Sequence, residues 1–78
     1  MISATVAIYP MGQPDFAAVD TAIDVLRAAD VALEVRSMQS EISGTEEAVF
    51  GALQRAFTAA ASAGGVAMTV TVTNACPV

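Results

Sequence analysis

Two segments, one near each end of the chain, alternate apolar with small hydroxyl residues, and this alternation limits the fold more than any other feature. The first reads ISATVAIY (residues 2–9) and the second reads MTVTVT (residues 68–73). Because successive side chains of a β-strand point to opposite faces, each segment is predicted to form a strand with one apolar face and one uncharged hydroxyl face. Charged side chains are usual on a solvated sheet face, so the hydroxyl face is a candidate functional surface.

A helix is predicted after the first strand. Pro10 is expected to end that strand, and the sequence MGQP forms a loop. Asp15 is suited to cap the helix that follows. Its apolar stripe is expected to contain Phe16, Val19, Ile23 and Leu26.

The sequence pattern in the middle of the chain predicts a hairpin followed by a second helix. Short strands are expected at about residues 33–36 and 40–43, with a tight turn at about 37–39 between them. Thr45 is expected to cap the second helix. Its apolar stripe is expected to run through Val49 or Phe50, Leu53, Phe57 and Ala60, ending at Gly64. The last strand is expected over about residues 66–73.

The order β-α-β-β-α-β predicts a single α+β domain over residues 1–78 with a ferredoxin-like fold. Such a fold has a four-stranded antiparallel sheet in the order 4-1-3-2, and its two right-handed crossovers place both helices on one face. The hydroxyl side chains of strands 1 and 4 then form a patch on the uncovered face. Its expected members are Ser3, Thr5, Tyr9, Thr69, Thr71 and Thr73, and the second strand adds Glu34, Arg36 and Met38.

Composition narrows the function classes. The formal net charge is −5, three arginines are the only basic side chains and lysine is absent, which disfavours binding to a nucleic-acid backbone. Without histidine or lysine there is no ready general base near neutral pH, no imidazole metal ligand and no Schiff-base amine. Cys76 lacks a histidine to activate it and is interpreted as a small buried or terminal thiol. We therefore expect no enzymatic activity and no metal, and a neutral or cationic ligand.

Chain length bears on assembly and location. A domain of 78 residues buries only about 60–65% of its unfolded surface, so a partner chain is expected to add stability. A single cysteine excludes an internal disulfide, and no apolar run approaches about 20 residues. The first residues lack the basic region of a signal peptide. These features predict a cytoplasmic protein that does not insert into a membrane.

Three segments resemble one known family. ISATVAIYPM, VRSMQSEISGTEEAVFGAL and MTVTVTNACP are similar in sequence and spacing to the YkoF-like family of thiamin- and hydroxymethylpyrimidine-binding proteins, and the resemblance covers nearly the whole chain. It implies an ACT-like, ferredoxin-like domain that associates through its sheets and binds thiamin or its pyrimidine moiety, with no chemistry attributed to it. Some relatives carry two such units, so a single unit implies a homodimer or homotetramer formed through the open sheet face.

The ligand that the resemblance implies suggests a set of contacts. The candidate ligand-binding residues are Thr5, Tyr9, Glu34, Met38, Ser40, Thr69 and Thr71. Serine and threonine hydroxyls can donate to and accept from an aminopyrimidine. Glu34 would neutralise a cationic thiazolium, while Tyr9 and Met38 would pack against a flat ring. A binding role in vitamin B1 salvage or uptake follows, with no cofactor of its own.

Alternatives remain open for these residues and for the function. Glu34 can instead pair with Arg36 or with an arginine of a partner chain, and Tyr9 can simply close the end of its strand. Ser40 alternates with Ile42 and so points toward the core unless the turn shifts the register. Met38 can be a core residue, and the hydroxyl patch can be an ordinary solvated face. The domain itself can be an ACT-like regulatory module for an amino acid or other effector, or a structural oligomeriser that packs on its copy.

Overall fold

The computed structural model describes residues 1–13, 17–36 and 39–75, except for the side chain of Ala63. The elements are β1 (Ile2–Met11), α1 (Ala17–Ala28), β2 (Ala32–Val35), β3 (Ser40–Gly44), α2 (Glu46–Ala60), a short 3₁₀ turn (Ala61–Ala63) and β4 (Gly65–Thr73). Their order confirms the predicted βαββαβ sequence of elements. Asp15, Phe16, Met38 and Cys76, which carry predictions made above, lie outside the described residues.

The four strands form one antiparallel sheet in the order β2-β3-β1-β4. Alternate residues of the central strand β1 are buried, since Ile2, Ala4 and Val6 are at most 4% exposed. Both helices contact this strand and lie on the face to which these side chains point. The α+β, ferredoxin-like fold with two helices on one face of the sheet is therefore confirmed.

Small side chains make up much of the core. The buried apolar residues among those described are Ile2, Ala4, Val6, Ala18, Ala22, Leu26, Ile42, Val49, Ala52, Leu53, Ala56 and Ala60. Half of them are alanines, three of which lie in α2. Alanine allows α1 and α2 to approach each other and the sheet closely, but each buried alanine removes little apolar area from water.

The prediction that Pro10 ends the first strand is wrong. β1 continues to Met11, and Pro10 pairs with Val66 of β4. The reason is that β3 pairs with β1 only as far as Val6. Among the described residues Pro10 therefore has a strand neighbour on one side only, and a proline, which lacks an N–H, is tolerated at such an edge position.

The two predicted helix stripes also need correction. In α2, Phe57 is 44% exposed and Phe50 is 53% exposed, whereas Ala56 is fully buried. In α1, the fully covered positions are Ala18, Ala22 and Leu26, and the larger side chains Val19 and Ile23 are only partly buried. Both helices thus bury several alanines, together with Leu26 in α1 and with Val49 and Leu53 in α2. Val19, Ile23 and the two phenylalanines lie at less covered positions.

Two glycines set the path from α2 into β4. Gly64 has a backbone φ of 149°, a conformation that residues with a Cβ rarely adopt. A Cβ at Gly65 would lie 2.9 Å from the carbonyl oxygen of Met11, so the close pairing of β4 with β1 requires glycine at this position. The predicted stop at these glycines is confirmed, although the regular helix ends at Ala60.

No helix within the described residues combines the length and apolar character needed to cross a bilayer.

Replacement of Thr45 by alanine tests the start of α2. The Thr45 hydroxyl accepts from the backbone N–H of Ala48 at 3.1 Å, so we expect Thr45→Ala to lower the free energy of unfolding by about 1 kcal/mol. Thr58→Ala is the matched control, because the Thr58 hydroxyl only donates to the carbonyl of Gln54 within the helix. Urea denaturation should find Thr58→Ala unchanged or slightly more stable. Equal losses for both variants would contradict the assigned cap.

Candidate functional site

The central strand is paired unequally on its two sides, which opens a notch in the sheet. β4 pairs with β1 from Ser3 to Met11, whereas β3 pairs with it only from Ile2 to Val6. Beyond Val6, no strand in the described part of the chain flanks β1 on the β3 side. Main-chain N–H and C=O groups that point into the notch are therefore available to another hydrogen-bonding partner.

A cavity of about 340 Å³ occupies this notch between β1 and α1. Its apolar lining consists of Val6, Ala7, Ile8, Val19, Ile23 and Leu26. Its polar lining consists of Tyr9, Asp20, Arg36, Gln39 and Ser40. Apolar walls with a few polar groups are typical of a small-molecule site, and the volume lies near the lower end of the range for such sites.

The polar groups of the cavity lie at different depths. Ser40 is only 6% exposed and begins β3 opposite Val6. Tyr9 is 50% exposed near the other end of the notch, and Asp20 is exposed on the first turn of α1. A molecule in the cavity would therefore meet a buried hydroxyl at its inner end and a carboxylate and a phenol ring at the rim.

Arg36 joins two carboxylates beside the cavity. Its Nη2 lies 3.0 Å from Oε1 of Glu34, and its Nε donates to Oε2 of Glu41. Glu34 and Glu41 are cross-strand neighbours on β2 and β3, where two like charges repel each other. The guanidinium offsets this repulsion. These side chains are 43–64% exposed, so water screens each pair and its contribution to stability is small.

No metal site is formed within the described ranges, where no three His, Cys, Asp or Glu side chains come together.

The uncovered face of the sheet has the register that the alternation predicts. One row across the sheet contains Thr71, Thr5, Glu41 and Glu34, and the next contains Thr73, Ser3, Ser43 and Ala32. The hydroxyl residues of β1 and β4 thus form one patch, and the carboxylates of β2 and β3 border it. A second depression of about 220 Å³ lies at this border and includes Ser3, Glu34, Glu41 and Ser43 in its lining.

The seven predicted site residues fall in different places. Tyr9 and Ser40 line the cavity. Ser40 lies on the helix-covered side with Ile42, as their alternation indicates. The residues on the uncovered face, outside the lining of the cavity, are Thr5, Glu34, Thr69 and Thr71. Glu34 has Arg36 as its ion-pair partner, which was the alternative to a ligand, and Met38 lies outside the described residues.

Four cavity residues of α1 were not predicted as site residues. Val19, Ile23 and Leu26 were assigned to the apolar stripe of the helix, and Asp20, which lies outside that stripe, was not selected. A signal was present, because α1 has two adjacent apolar stripes. Ala18, Ala22 and Leu26 form the buried stripe, while Val19 and Ile23 form a second, partly buried stripe that lines the cavity.

The fold and the cavity define a ferredoxin-like domain with a site between its sheet and its first helix. A domain of unknown function, DUF77, from Bacillus cereus has the same fold with a TM-score of 0.82 and 22% identity, over 92% of this chain and 73% of that one. Protein SP2199 of Streptococcus pneumoniae gives a TM-score of 0.85 and 20% identity, over 92% and 83%. At such identities these likenesses show the fold alone.

A third solved structure also shares the fold, and a family model matches the chain. The Thermotoga maritima protein TM0486, assigned provisionally to thiamine biosynthesis or salvage, has a TM-score of 0.79 and 13% identity, over 91% of this chain and 80% of that one. The model of the YKOF-related family matches residues 1–78. The chain belongs to the YKOF-related family, which confirms the resemblance found in the sequence. A comparison with curated proteins finds no significant match.

Removal of the Arg36 charge tests the cluster beside the cavity. Arg36→Gln leaves the cross-strand carboxylates of Glu34 and Glu41 unscreened, so we expect a loss of about 0.5–1 kcal/mol in the free energy of unfolding at low salt. The loss should shrink in molar salt because exposed charges are screened. A second change, Glu41→Gln, should restore most of the stability, and urea denaturation compares the wild type with the single and the double variant. A loss that is independent of salt and of Glu41 would show that the guanidinium does not act through charge.

Proposed function

We propose that the chain binds thiamin or its hydroxymethylpyrimidine moiety in the cavity between β1 and α1. The observation that carries this proposal is the notch, which brings together in one cavity of about 340 Å³ an apolar wall, an exposed carboxylate and a stretch of β1 main chain that no described strand pairs with on the β3 side. Membership of the YKOF-related family supports it, as does the assignment of the T. maritima protein to thiamine biosynthesis or salvage.

The apolar wall suits a flat heterocycle. Val19, Ile23 and Leu26 of α1 face Val6 and Ile8 of β1 across the cavity. A ring placed between a helix and a strand removes apolar area from water on both of its faces, which favours binding by about 25 cal/mol per Å². The Tyr9 ring at the rim would add an aromatic contact.

The unpaired stretch of β1 provides complementary polar groups. An aminopyrimidine presents an amine donor beside a ring-nitrogen acceptor, and a free strand edge presents alternating C=O acceptors and N–H donors. Beyond Val6, β1 has such an edge in the described part of the chain, and it lines the cavity through Ala7 and Tyr9. The buried hydroxyl of Ser40 can act as either donor or acceptor at the inner end.

Asp20 is the carboxylate that we assign to the thiazolium. It lines the cavity, and no ion pair engages it in the part of the chain that the structure describes. Glu34, selected from the sequence for this role, already has Arg36 as a partner and lies outside the cavity lining. The cavity and its border carry one guanidinium and three carboxylates, from Arg36, Asp20, Glu34 and Glu41, which favours a cationic ligand over an anionic one.

We propose binding without chemical conversion. No histidine or lysine is present in the sequence, so the side chains that usually act as general base or amine nucleophile near neutral pH are absent.

Titration calorimetry with thiamin and with the pyrimidine alcohol separates the two candidate carboxylates. Asp20→Asn should weaken thiamin by about 0.5–1 kcal/mol, or roughly two- to fivefold, because an exposed charge pair is lost. It should leave the uncharged alcohol nearly unchanged. Glu34→Gln is the matched control and should leave the ratio of the two affinities unchanged, whereas Ser40→Ala should weaken both ligands.

Two results would contradict this assignment. If Glu34→Gln lowers the thiamin affinity selectively and Asp20→Asn does not, the ligand binds on the uncovered face as the sequence suggested. The same titrations are repeated with a set of amino acids. If the wild-type chain binds neither thiamin nor the pyrimidine alcohol but binds an amino acid, the domain is an ACT-like effector module. Mass spectrometry of the titrated samples should return each ligand unchanged, and a product that accumulates with protein concentration would overturn the absence of chemistry.

The uncovered face is proposed as a contact between copies of the chain. Its hydroxyl patch has no charged side chain on β1 or β4, and cross-strand pairs such as Thr5 with Thr71 could be buried without leaving a charge unpaired. A small core rich in alanine leaves stability to be gained from such a contact. A homodimer or homotetramer would result.

The substitution Thr5→Lys on the central strand β1 tests this contact. Thr5→Lys places a long charged side chain in the middle of the patch and should shift the assembly toward smaller species at tens of micromolar, roughly the range of a weak interface. Thr5→Val, which is uncharged and nearly isosteric, should preserve the assembly. Light scattering measures both variants. An unchanged mass for Thr5→Lys would exclude a contact through this face.

A further inference from the structure

Arg36 is the one of the three arginines that lines the cavity in the described part of the chain. Lysine and histidine are absent from the sequence, so this guanidinium is the side chain that would have to balance a negatively charged group of a ligand. A phosphate ester carries a charge of about −1.5 to −2 near neutral pH. The contacts of Arg36 therefore decide whether the cavity accepts a phosphorylated ligand.

Two carboxylates already engage this guanidinium. Nη2 of Arg36 lies 3.0 Å from Oε1 of Glu34, and its Nε donates to Oε2 of Glu41. Glu34 and Glu41 are cross-strand neighbours, and their two negative charges exceed the single positive charge that contacts both. A phosphate that approached this cluster would meet a net negative charge and not a free cation.

The start of α1 is the other source of positive potential beside the cavity. The first turn of a helix favours an anion through its N–H groups and its dipole. Asp20 lies in this turn, is exposed and lines the cavity. Its carboxylate offsets the helix dipole. Within the described residues, the two groups suited to hold a phosphate at this cavity, Arg36 and the start of α1, thus each have a carboxylate beside them.

We propose that the cavity selects against phosphorylated ligands, and that Glu34, Glu41 and Asp20 determine this specificity. The inference rests on the proposed function and narrows its ligands to thiamin and the free pyrimidine alcohol, with the phosphate ester of the alcohol excluded.

The structures of these ligands make Asp20 the residue that reads their charge. The carbon that carries the hydroxyl in the pyrimidine alcohol carries the thiazolium nitrogen in thiamin. Phosphorylation of the alcohol therefore places the phosphate where thiamin has its cation, which is the position assigned to Asp20. A carboxylate that attracts the thiazolium repels a phosphate at the same point. Loss of the Asp20 charge should have opposite effects on the two ligands.

Titration calorimetry with the pyrimidine alcohol and its phosphate ester tests the selection. We expect the wild-type chain to bind the ester about fivefold or more weakly than the alcohol at low salt, and the difference should shrink in molar salt. Asp20→Asn should raise the affinity for the ester while it lowers that for thiamin, a reversal that a purely structural effect would not produce. Equal affinities of the wild type for alcohol and ester, or a preference for the ester, would overturn the inference and leave binding of the alcohol established.

Release of Arg36 forms the second arm. The double variant Glu34→Gln, Glu41→Gln frees the guanidinium from both carboxylates, and we expect the affinity for the ester relative to the alcohol to rise about fivefold. Each single change leaves one partner and should give a smaller rise. Adding Arg36→Gln to the double variant is the control and should cancel the rise. An equal rise in this triple variant would overturn the role assigned to Arg36, because removal of negative charge alone would explain it.

Inorganic phosphate is a probe that requires no organic ligand. Thermal unfolding at constant ionic strength should give the wild type and Arg36→Gln the same shift in phosphate relative to chloride, since only the general effect of the salt acts on both. The double variant should show a larger shift, because an anion that binds the native state stabilises it. Circular dichroism checks that each variant is folded. A larger shift for the wild type than for Arg36→Gln would overturn the inference, even for a chain that binds neither thiamin nor the alcohol.

Discussion

The length of the central strand relative to its neighbours is the constraint on which the rest of the structure depends. β1 has ten residues, but β3 covers only its first half while β4 follows it nearly to its end. The covered half anchors Ile2, Ala4 and Val6 in the core. Beside the uncovered half there is a gap in the sheet. Residues of α1 line this gap without filling it, and the gap is the cavity. The cavity is therefore a consequence of strand pairing more than of any local motif.

The second constraint is the use of alanine where the helices meet the sheet. Ala18 and Ala22 of α1 and Ala52, Ala56 and Ala60 of α2 are buried. Small side chains at these positions allow the helices to approach the sheet closely, and Leu26, Val49 and Leu53 are the larger buried side chains of the helices. Val19 and Ile23 lie at the cavity, and the phenylalanines of α2 are about half exposed. Since each alanine contributes little apolar burial, the fold has a small stability margin. Contacts between chains are a direct way to enlarge that margin.

Local patterns were sufficient to predict the elements and their order. The alternation in β1 and β4, the Thr45 cap and the glycines after α2 each express a short-range rule, and each is present in the structure. The predictions were wrong where tertiary packing or strand pairing overrode a local sequence preference. A proline normally ends a strand. Because β3 pairs with β1 only as far as Val6, Pro10 lies at an edge position, where a proline is tolerated. Phe57 and Ala56 fit a helical stripe equally well, and only the distance to the sheet selects the alanine.

The candidate site was less predictable for the same reason. Tyr9 and Ser40 were selected from the chemistry of their side chains and from the family resemblance, and they do line one cavity. Asp20 could not be distinguished by sequence from its solvated neighbour Asp24, since only the tertiary position of α1 places one of them beside the notch. For Glu34 the sequence predicts the correct face of the sheet. It does not identify the partner, since the carboxylate already forms an ion pair with Arg36.

The inequality of the two sheet edges limits how far the protein can polymerise. A cross-β filament requires every sheet to accept a strand on both sides, so that each added molecule regenerates the growing end. Here β2 has only four residues and its neighbouring charges are held by an ion pair, and short, charged edges resist the addition of another strand. The chain can therefore keep a long, uncharged β-strand of alternating valine and threonine at its surface without becoming the seed of a fibril.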